Sequence, residues 1–92
     1  MLPKKRVVIT GLGVISPLGN DISSCWDNLL KGKSGVNYIE GFDVSALPTK
    51  IAAQVRGFIP TDYLSRKDAR RMDRFVQFAC AAARQAAEDS KL

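Results

Sequence analysis

The sequence predicts an α/β fold, and three neighbouring features of its N-terminal part carry that prediction. Residues 7–10 are apolar or β-branched without polar alternation, which is typical of a strand buried on both faces. A loop that contains Gly11, Gly13 and Gly19 follows this run. The apolar spacing after the loop is that of an amphipathic helix. A strand, a loop and a helix in this order begin an α/β unit.

The first helix is predicted over residues 21–31. Asn20 or Asp21 can cap its N-terminus through a side-chain oxygen, and Gly32 suits its C-terminal stop. We expect Trp26 to be its largest core anchor. Its apolar residues fall at positions i, i+3, i+4, i+7 and i+8, which makes one stripe: Ile22, Cys25, Trp26, Leu29 and Leu30.

The second half of the chain predicts one further strand and a helical region. Residues 34–48 are predicted to be irregular, with a turn anchored by Asp43. Residues 50–56 alternate in polarity and predict a half-covered strand, whose buried face comprises Ile51, Ala53 and Val55. The S-x-x-D signature at 65–68 starts a helix. This is either one helix to residue 89, or a short helix followed by a long one from about residue 74. The buried side of the long part comprises Met72, Phe75, Phe78, Ala79, Ala82, Ala83 and Ala86.

Composition limits the possible chemistry. The 92 residues make one domain at most, and no apolar run approaches the roughly 20 residues of a membrane span. The basic start at residues 4–6 resembles a signal peptide, but glycines interrupt the apolar run after it. The chain has no histidine, so these residues alone cannot form a His-based metal site or a Ser/His/Asp triad. Cys25 and Cys80 lie at apolar helix positions and are expected to be buried, reduced thiols.

The glycine loop has two interpretations. G-L-G-V-I-S after a strand invites comparison with the dinucleotide fingerprint G-x-G-x-x-G. That site needs a third glycine and a helix N-terminus that faces the pyrophosphate. Here Ser16 and Pro17 follow, and the helix begins near Asp21. The sequence therefore favours a loop that packs over one that cradles a phosphate.

A basic cluster is the most informative charged feature in a chain of net charge +5. On a helix, Lys67, Arg70 and Arg71 lie at i, i+3 and i+4 and share one face, which suits a row of carboxylates or phosphates. The alternatives are a solvated helix end and a nucleic-acid surface. Against nucleic acid, we expect no exposed aromatic residue beside the cluster, because Phe75 and Phe78 belong to the apolar face.

Taken together, five segments resemble the N-terminus of the β-ketoacyl-[acyl carrier protein] synthases, most closely the elongating type II condensing enzymes. The segments cover nearly the whole chain in order and with matching spacing. They are RVVITGLGVISPLGN, then LLKGKSGV at the end of the Trp26 helix, FD at 42–43, KIAAQVRGF and RKDARRMDRF.

The resemblance implies a thiolase-like fold, with five α-β-α-β-α layers in the full enzyme, of which residues 1–92 are an incomplete N-terminal portion of the ketosynthase N-terminal domain. It implies a decarboxylative Claisen condensation of malonyl and acyl groups carried by acyl carrier protein. It also implies a homodimer in the cytoplasm, or in an organelle stroma or matrix, with no cofactor, metal, nucleic acid or membrane partner. The nucleophilic cysteine and two histidines of the family lie beyond residue 92, and Cys25 and Cys80 match no catalytic position.

One functional feature of the family carries over by position. The resemblance implies that Lys67, Arg70 and Arg71 dock the acidic helix of acyl carrier protein, with Arg66 and Arg74 as supporting charge. A polyketide-type ketosynthase and a non-catalytic chain-length factor remain open as alternatives within the family. A free-standing basic module that binds nucleic acid remains the alternative outside it.

Overall fold

The computed structural model describes residues 4–92 and contains helices and short strands. Among these residues the 66–89 region contains two helices, so the second of the two helical alternatives is confirmed. The elements in chain order are α1 (Ile22–Leu30), β1 (Val36–Tyr38), β2 (Ile51–Ala53), a 3-10 turn (Pro60–Asp62), α2 (Arg66–Arg71) and α3 (Arg74–Asp89).

Helix α1 confirms the predicted start and stop signals. The backbone N–H of Ser24 donates to the Asp21 carboxylate at 2.7 Å, and Gly32 follows the helix with a φ of +69°. The predicted core role of Trp26 is wrong within this chain, because the side chain is 57% exposed. Residues 4–92 leave most of the apolar stripe uncovered: Ile22, Leu29 and Leu30 are exposed as well, and Cys25 is half-buried.

The predicted strand at residues 7–10 does not form among the described residues. These positions have no strand partner, and Val7, Val8 and Ile9 are 91%, 61% and 81% exposed. A strand buried on both faces needs neighbours that pair with its N–H and C=O groups and cover its side chains. Residues 4–92 supply neither, so the apolar run stays uncovered.

Strands β1 and β2 form a two-stranded antiparallel ribbon. Val36 pairs with Ala53 and Tyr38 with Ile51. The prediction that residues 34–48 are irregular therefore missed β1, whose three residues are too few to show a period of two. The predicted orientation of β2 is also wrong, because Ile51 and Ala53 lie on an exposed face.

The predicted turn at Asp43 is confirmed. The backbone N–H of Ser45 donates to the Asp43 carboxylate at 3.0 Å. This backbone hydrogen bond, followed by one from the Ser45 side chain, holds the pKa of Asp43 below its ordinary value. The loop between β1 and β2 is thus fixed locally, by bonds that favour the charged carboxylate.

A small aromatic cluster forms the packed centre, on one side of α3. Phe58 is 8% exposed, and its ring lies 5.1 Å from that of Phe78 in an edge-to-face arrangement and 6.2 Å from that of Tyr63. Ala81, further along the helix, is completely buried. Aromatic pairs in this geometry contribute about 0.5–1.5 kcal/mol beyond the area they bury.

The predicted buried side of α3 is wrong for several of its members. Phe75 is 71% exposed, and Ala79 and Ala83 are exposed too. The face that the described residues cover instead contains Gln77 and Ala81. Phe78, Ala82 and Ala86 of the predicted face are half-buried. Covering its remaining members requires neighbours that residues 4–92 do not supply.

The overall dimensions show how little the chain packs on itself. Its radius of gyration is 17.1 Å, whereas a compact domain of this length has about 12 Å. Its accessible surface is 7555 Å², against about 5300 Å² for a folded monomer of this mass. The excess surface is rich in apolar side chains, which is typical of a portion cut from a larger core.

We therefore predict that residues 1–92 in isolation do not unfold cooperatively. The exposed apolar surface leaves too little buried area to offset the loss of conformational entropy. Far-UV circular dichroism during heating and urea titration measures this, and we expect a shallow, non-sigmoidal change. A single sigmoidal transition that is independent of protein concentration would contradict the prediction.

Candidate functional site

The glycine loop packs against α3. A Cβ atom on Gly13 would collide with the backbone of Ala82, and one on Gly11 would collide with that of Ala86. Glycine is therefore required at both positions for close approach of two backbones, not for a ligand. The packing interpretation of the loop is confirmed.

The hydrogen bonds of the loop also disfavour a phosphate site. The N–H of Leu12 donates to the Asp89 carboxylate at 3.0 Å, and the N–H of Val14 donates to Oε1 of Gln85 at 3.1 Å. A phosphate cradle needs free N–H groups and a local excess of positive charge. Here two N–H groups are already bonded to α3, and one of their acceptors is a carboxylate.

Neither cysteine lies in a catalytic setting. Cys25 and Cys80 are free and half-buried, so the expectation of fully buried thiols is wrong. The Oγ of Ser16 lies 3.5 Å from the sulfur of Cys25. Across residues 4–92 no three metal-binding side chains cluster, and no helix there is long and apolar enough to span a membrane.

Helix α2 presents the basic residues that the sequence singles out. The backbone N–H of Asp68 donates to Oγ of Ser65 at 3.1 Å, which confirms the predicted S-x-x-D start. At Met72 the backbone becomes extended, with φ −107° and ψ 137°, and ends the helix. The predicted helical spacing of Lys67, Arg70 and Arg71 is thus confirmed. Together with Arg66 of the same helix, we call these residues the basic surface.

The side chains of the basic surface are exposed and lack acidic partners in the described part of the chain. The ion pairs found there join Arg56 to Glu40 at 3.8 Å and Arg84 to Glu88 at 3.3 Å. Neither involves α2. No described residue therefore forms an ion pair with the basic surface. With Asp68 and Asp73 counted against five basic residues, residues 66–74 keep a net charge of +3 for an anionic partner.

Arg74 differs from the four residues of the basic surface. It begins α3 after the break at residues 72–73, and its guanidinium carbon lies 5.2 Å from the ring centres of both Phe58 and Phe78. A cation over two aromatic rings is held by their quadrupoles. Arg74 therefore anchors the start of α3 on the aromatic cluster, which the sequence alone did not predict.

The expected absence of an exposed aromatic residue next to the cluster is wrong. Phe75 directly follows Arg74 and is 71% exposed among the described residues. The sequence placed it on the apolar face of α3, but the described residues leave Phe75 itself uncovered. An aromatic ring that could stack on a base is therefore exposed beside the cluster, contrary to the expectation that disfavoured a nucleic-acid partner.

Comparison with known proteins identifies what the chain is similar to. A family described as "Beta-ketoacyl synthase, N-terminal domain" matches residues 4–92. Three curated relatives bear the name 3-oxoacyl-[acyl-carrier-protein] synthase 2. The identity is 59% over 91 residues for that of Coxiella burnetii, 50% for that of Vibrio cholerae, and 45% over 92 residues for that of Staphylococcus aureus.

The matches cover this chain almost completely but only a small part of the relatives. The three alignments span 99%, 99% and 100% of the chain, yet the chain spans about a fifth of each relative's length, 22%. A solved structure described as "The ishigamide ketosynthase/chain length factor" matches with a TM-score of 0.80 and 35% identity, over 92% of this chain and 21% of that chain. This likeness confirms the predicted α/β, thiolase-like fold.

The glycine packing predicts unequal effects of two matched substitutions in the full-length protein. Gly13→Ala should lower the free energy of unfolding by about 2 kcal/mol or more, because the new methyl overlaps the backbone of Ala82. Gly32→Ala should cost about 1 kcal/mol, because Gly32 meets nothing within 4 Å and only its positive φ opposes a side chain. Denaturant titration compares them, and an equal or smaller loss at Gly13 would contradict the close packing.

Proposed function

The chain belongs to the β-ketoacyl synthase family, and from that premise we propose that it is the N-terminal part of a longer 3-oxoacyl-[acyl-carrier-protein] synthase. Such an enzyme extends fatty acids by a decarboxylative Claisen condensation. Residues 1–92 would form an incomplete portion of its N-terminal domain. The support is the family match over residues 4–92 and the shared name of the curated relatives.

The reaction requires groups that this portion does not contain. A cysteine thiolate first attacks the thioester of the acyl group on its carrier protein, which forms a new thioester with the cysteine and releases the carrier's thiolate. Malonyl on its carrier protein then loses CO₂, and the electron pair of the broken C–C bond forms a carbanion that attacks the thioester carbonyl and expels the thiolate. The family resemblance implies that the cysteine and two histidines of this chemistry lie beyond residue 92. The absence of histidine from the sequence and the two free, half-buried cysteines agree with this assignment.

The contribution of this chain to the reaction is a docking surface for acyl carrier protein. The observation that carries this proposal is that Lys67, Arg70 and Arg71 lie exposed on α2 without an acidic partner in residues 4–92. Arg66 adds charge from the same helix, and Arg74 adds charge from the start of α3. The substrates named for the relatives are carried by a protein, so a protein-binding surface is required.

The physical role of such a surface is mainly to speed and orient the encounter. Each exposed ion pair contributes only about 0.2–1 kcal/mol. Several basic side chains on one face raise the association rate for an acidic partner and select against basic ones. The side-chain spacing along one helix face also suits an acidic helix, whose carboxylates recur at a similar spacing.

Oligomeric state and location follow from the family alone. We propose a homodimer in the cytoplasm of a bacterium, or in an organelle stroma or matrix in a eukaryote. The curated relatives come from bacteria, which favours the first location.

A chain-length factor without the catalytic cysteine is the second candidate. The solved structure similar to this chain is described as a ketosynthase/chain length factor, so the fold of this portion suits both partners of such a pair. The two candidates differ downstream of residue 92. Turnover of malonyl-loaded carrier protein by the full-length protein would favour the synthase, and its absence together with a missing cysteine would favour the factor.

Charge reversal tests the docking surface in the full-length synthase. Lys67→Glu, Arg70→Glu and Arg71→Glu should each raise KM for substrates on acyl carrier protein about two- to fivefold, which corresponds to one exposed charge pair lost and a repulsion gained. Steady-state kinetics with acyl carrier protein and with a small thioester substrate measure the effect. KM for the small thioester should not change, because it makes no contact with α2.

The matched control reverses charge elsewhere on the surface. Lys33→Glu changes the net charge by the same amount at an exposed position after α1. KM for the carrier-protein substrate should stay within about twofold of the wild-type value. At physiological salt, the interaction between exposed charges is largely screened beyond roughly 8 Å. Equal effects of Lys33→Glu and Arg70→Glu would mean that net charge, not α2, governs the encounter.

Salt dependence provides an independent prediction. KM for the carrier-protein substrate should rise as ionic strength increases, and this rise should be weaker in the Arg70→Glu variant. KM for the small thioester should stay nearly constant over the same range. A flat KM for the carrier-protein substrate would exclude electrostatic docking.

A direct titration distinguishes the nucleic-acid alternative. Fluorescence anisotropy of a labelled single-stranded oligonucleotide, measured against the full-length protein at physiological salt, should show no binding in the micromolar range. Tight, saturable binding that Arg70→Glu and Arg71→Glu abolish would favour a nucleic-acid surface over a carrier-protein surface.

A further inference from the structure

Gln77 is a buried polar side chain that links the two C-terminal helices. It lies in the second turn of α3 and is 8% exposed. Burying an amide costs free energy unless its polar atoms are bonded. The partners of Gln77 therefore indicate what its burial stabilises.

Both partners of the Gln77 amide nitrogen belong to the C-terminal end of α2. Nε2 donates to the carbonyl of Ala69 at 2.8 Å and to the carbonyl of Met72 at 3.4 Å. Carbonyls in the last turn of a helix lack the regular donor four residues further on, so a side chain often satisfies them. The Ala69 carbonyl also accepts from the backbone N–H of Met72, but at 3.4 Å, which is longer than its bond from Gln77. Gln77 thus closes the end of α2 from the neighbouring helix.

The chemistry of the two partners fixes the orientation of the amide. Both are carbonyl oxygens, which only accept, so the group that faces them must be the NH₂ donor. The other amide atom, Oε1, is buried and accepts no hydrogen bond from residues 4–92. The amide therefore binds to α2 through its nitrogen alone.

The bonded carbonyls bracket two arginines of the basic surface. Ala69 directly precedes Arg70, and Met72 directly follows Arg71. Met72 is also where the backbone leaves the helical conformation. Without the Gln77 bonds, this last turn of a six-residue helix would be held mainly by its own backbone, and short helices are marginal in water.

We propose that Gln77 is a positioning residue for carrier-protein docking, which holds the last turn of α2 so that Arg70 and Arg71 present their guanidinium groups in one fixed arrangement. This inference rests on the proposed docking function. Gln77 itself is buried and would not contact the partner. Its effect would pass through the backbone of residues 69–72.

Gln77→Met in the full-length synthase tests this role. Methionine has similar length and volume but no donor, so packing is largely kept. The Met72 carbonyl then loses its bond from Gln77, and the Ala69 carbonyl keeps only the long bond of 3.4 Å from the Met72 N–H. KM for the carrier-protein substrate should rise about two- to threefold, because the effect passes through Arg70 and Arg71 and should not exceed that of reversing their charge. KM for a small thioester should stay unchanged. KM does not depend on the fraction of active enzyme, so a partly unfolded preparation still gives a result.

Two further variants separate positioning from a general structural role. Gln54→Met is the matched control, because the Gln54 amide donates to the carbonyl of Glu40, away from α2, and should leave KM unchanged. The second test places Gln77→Met in an Arg70→Ala, Arg71→Ala background. If Gln77 acts through these arginines, its effect on KM should disappear there.

The possible results distinguish a failure of the positioning role of Gln77 from a failure of the proposed docking on α2. If charge reversal on α2 raises KM but Gln77→Met does not, the positioning role is overturned and docking stands. If the Gln77→Met effect persists in the alanine background, or extends to the small thioester, the role is structural and the inference is overturned. If neither charge reversal nor Gln77→Met changes KM, docking on α2 is itself overturned. Should Gln77→Met fail to fold, Gln77→Asn, whose shorter amide cannot reach both carbonyls, replaces it.

Discussion

One face of α3 determines how the rest of the chain is arranged. Three of its residues one turn apart, Gln77, Ala81 and Gln85, face inward. Gln85 accepts from the N–H of Val14 and donates to the carbonyl of Asn20 at 2.7 Å and the hydroxyl of Tyr63 at 3.0 Å. It therefore joins the glycine loop, the start of α1 and the segment before α2.

The same face of α3 also holds the helix that bears the basic surface. At its other end Gln77 holds the end of α2, and Arg74 lies against the aromatic cluster. The glycine loop, which contacts no ligand in this account, fixes the helix on which the basic surface depends. The close approach of backbones at Gly13 and the proposed surface for an acidic protein are thus parts of one packing arrangement.

The sequence predicted those features that depend on neighbouring residues. The Ser65 cap and the helical spacing of Lys67 and Arg70 follow from local chemistry, and the structure contains them. The Asp21 cap and the break before α3 were each one of two alternatives that local chemistry allowed, and the structure contains these too. The family resemblance also followed from the ordered segments alone.

Features that depend on distant residues were not predictable. Apolar periodicity assigned Phe75 and Trp26 to a core, yet both are exposed in a portion that covers 22% of its relatives' length. Apolar periodicity indicates which side chains are buried in a complete fold. It does not indicate which segment of the chain covers them. The bonds of Gln77 could not be read from the sequence either, because a glutamine on a helix is ordinarily solvated.

The central claim is that α2 is where an acidic carrier protein docks. Hydrogen–deuterium exchange of the full-length protein, with and without saturating acyl carrier protein, tests it most directly. We predict slower exchange for the amides of residues 66–74 in the complex and an unchanged exchange rate for the amides of α1. Unchanged exchange across residues 66–74 in a saturated complex would contradict it.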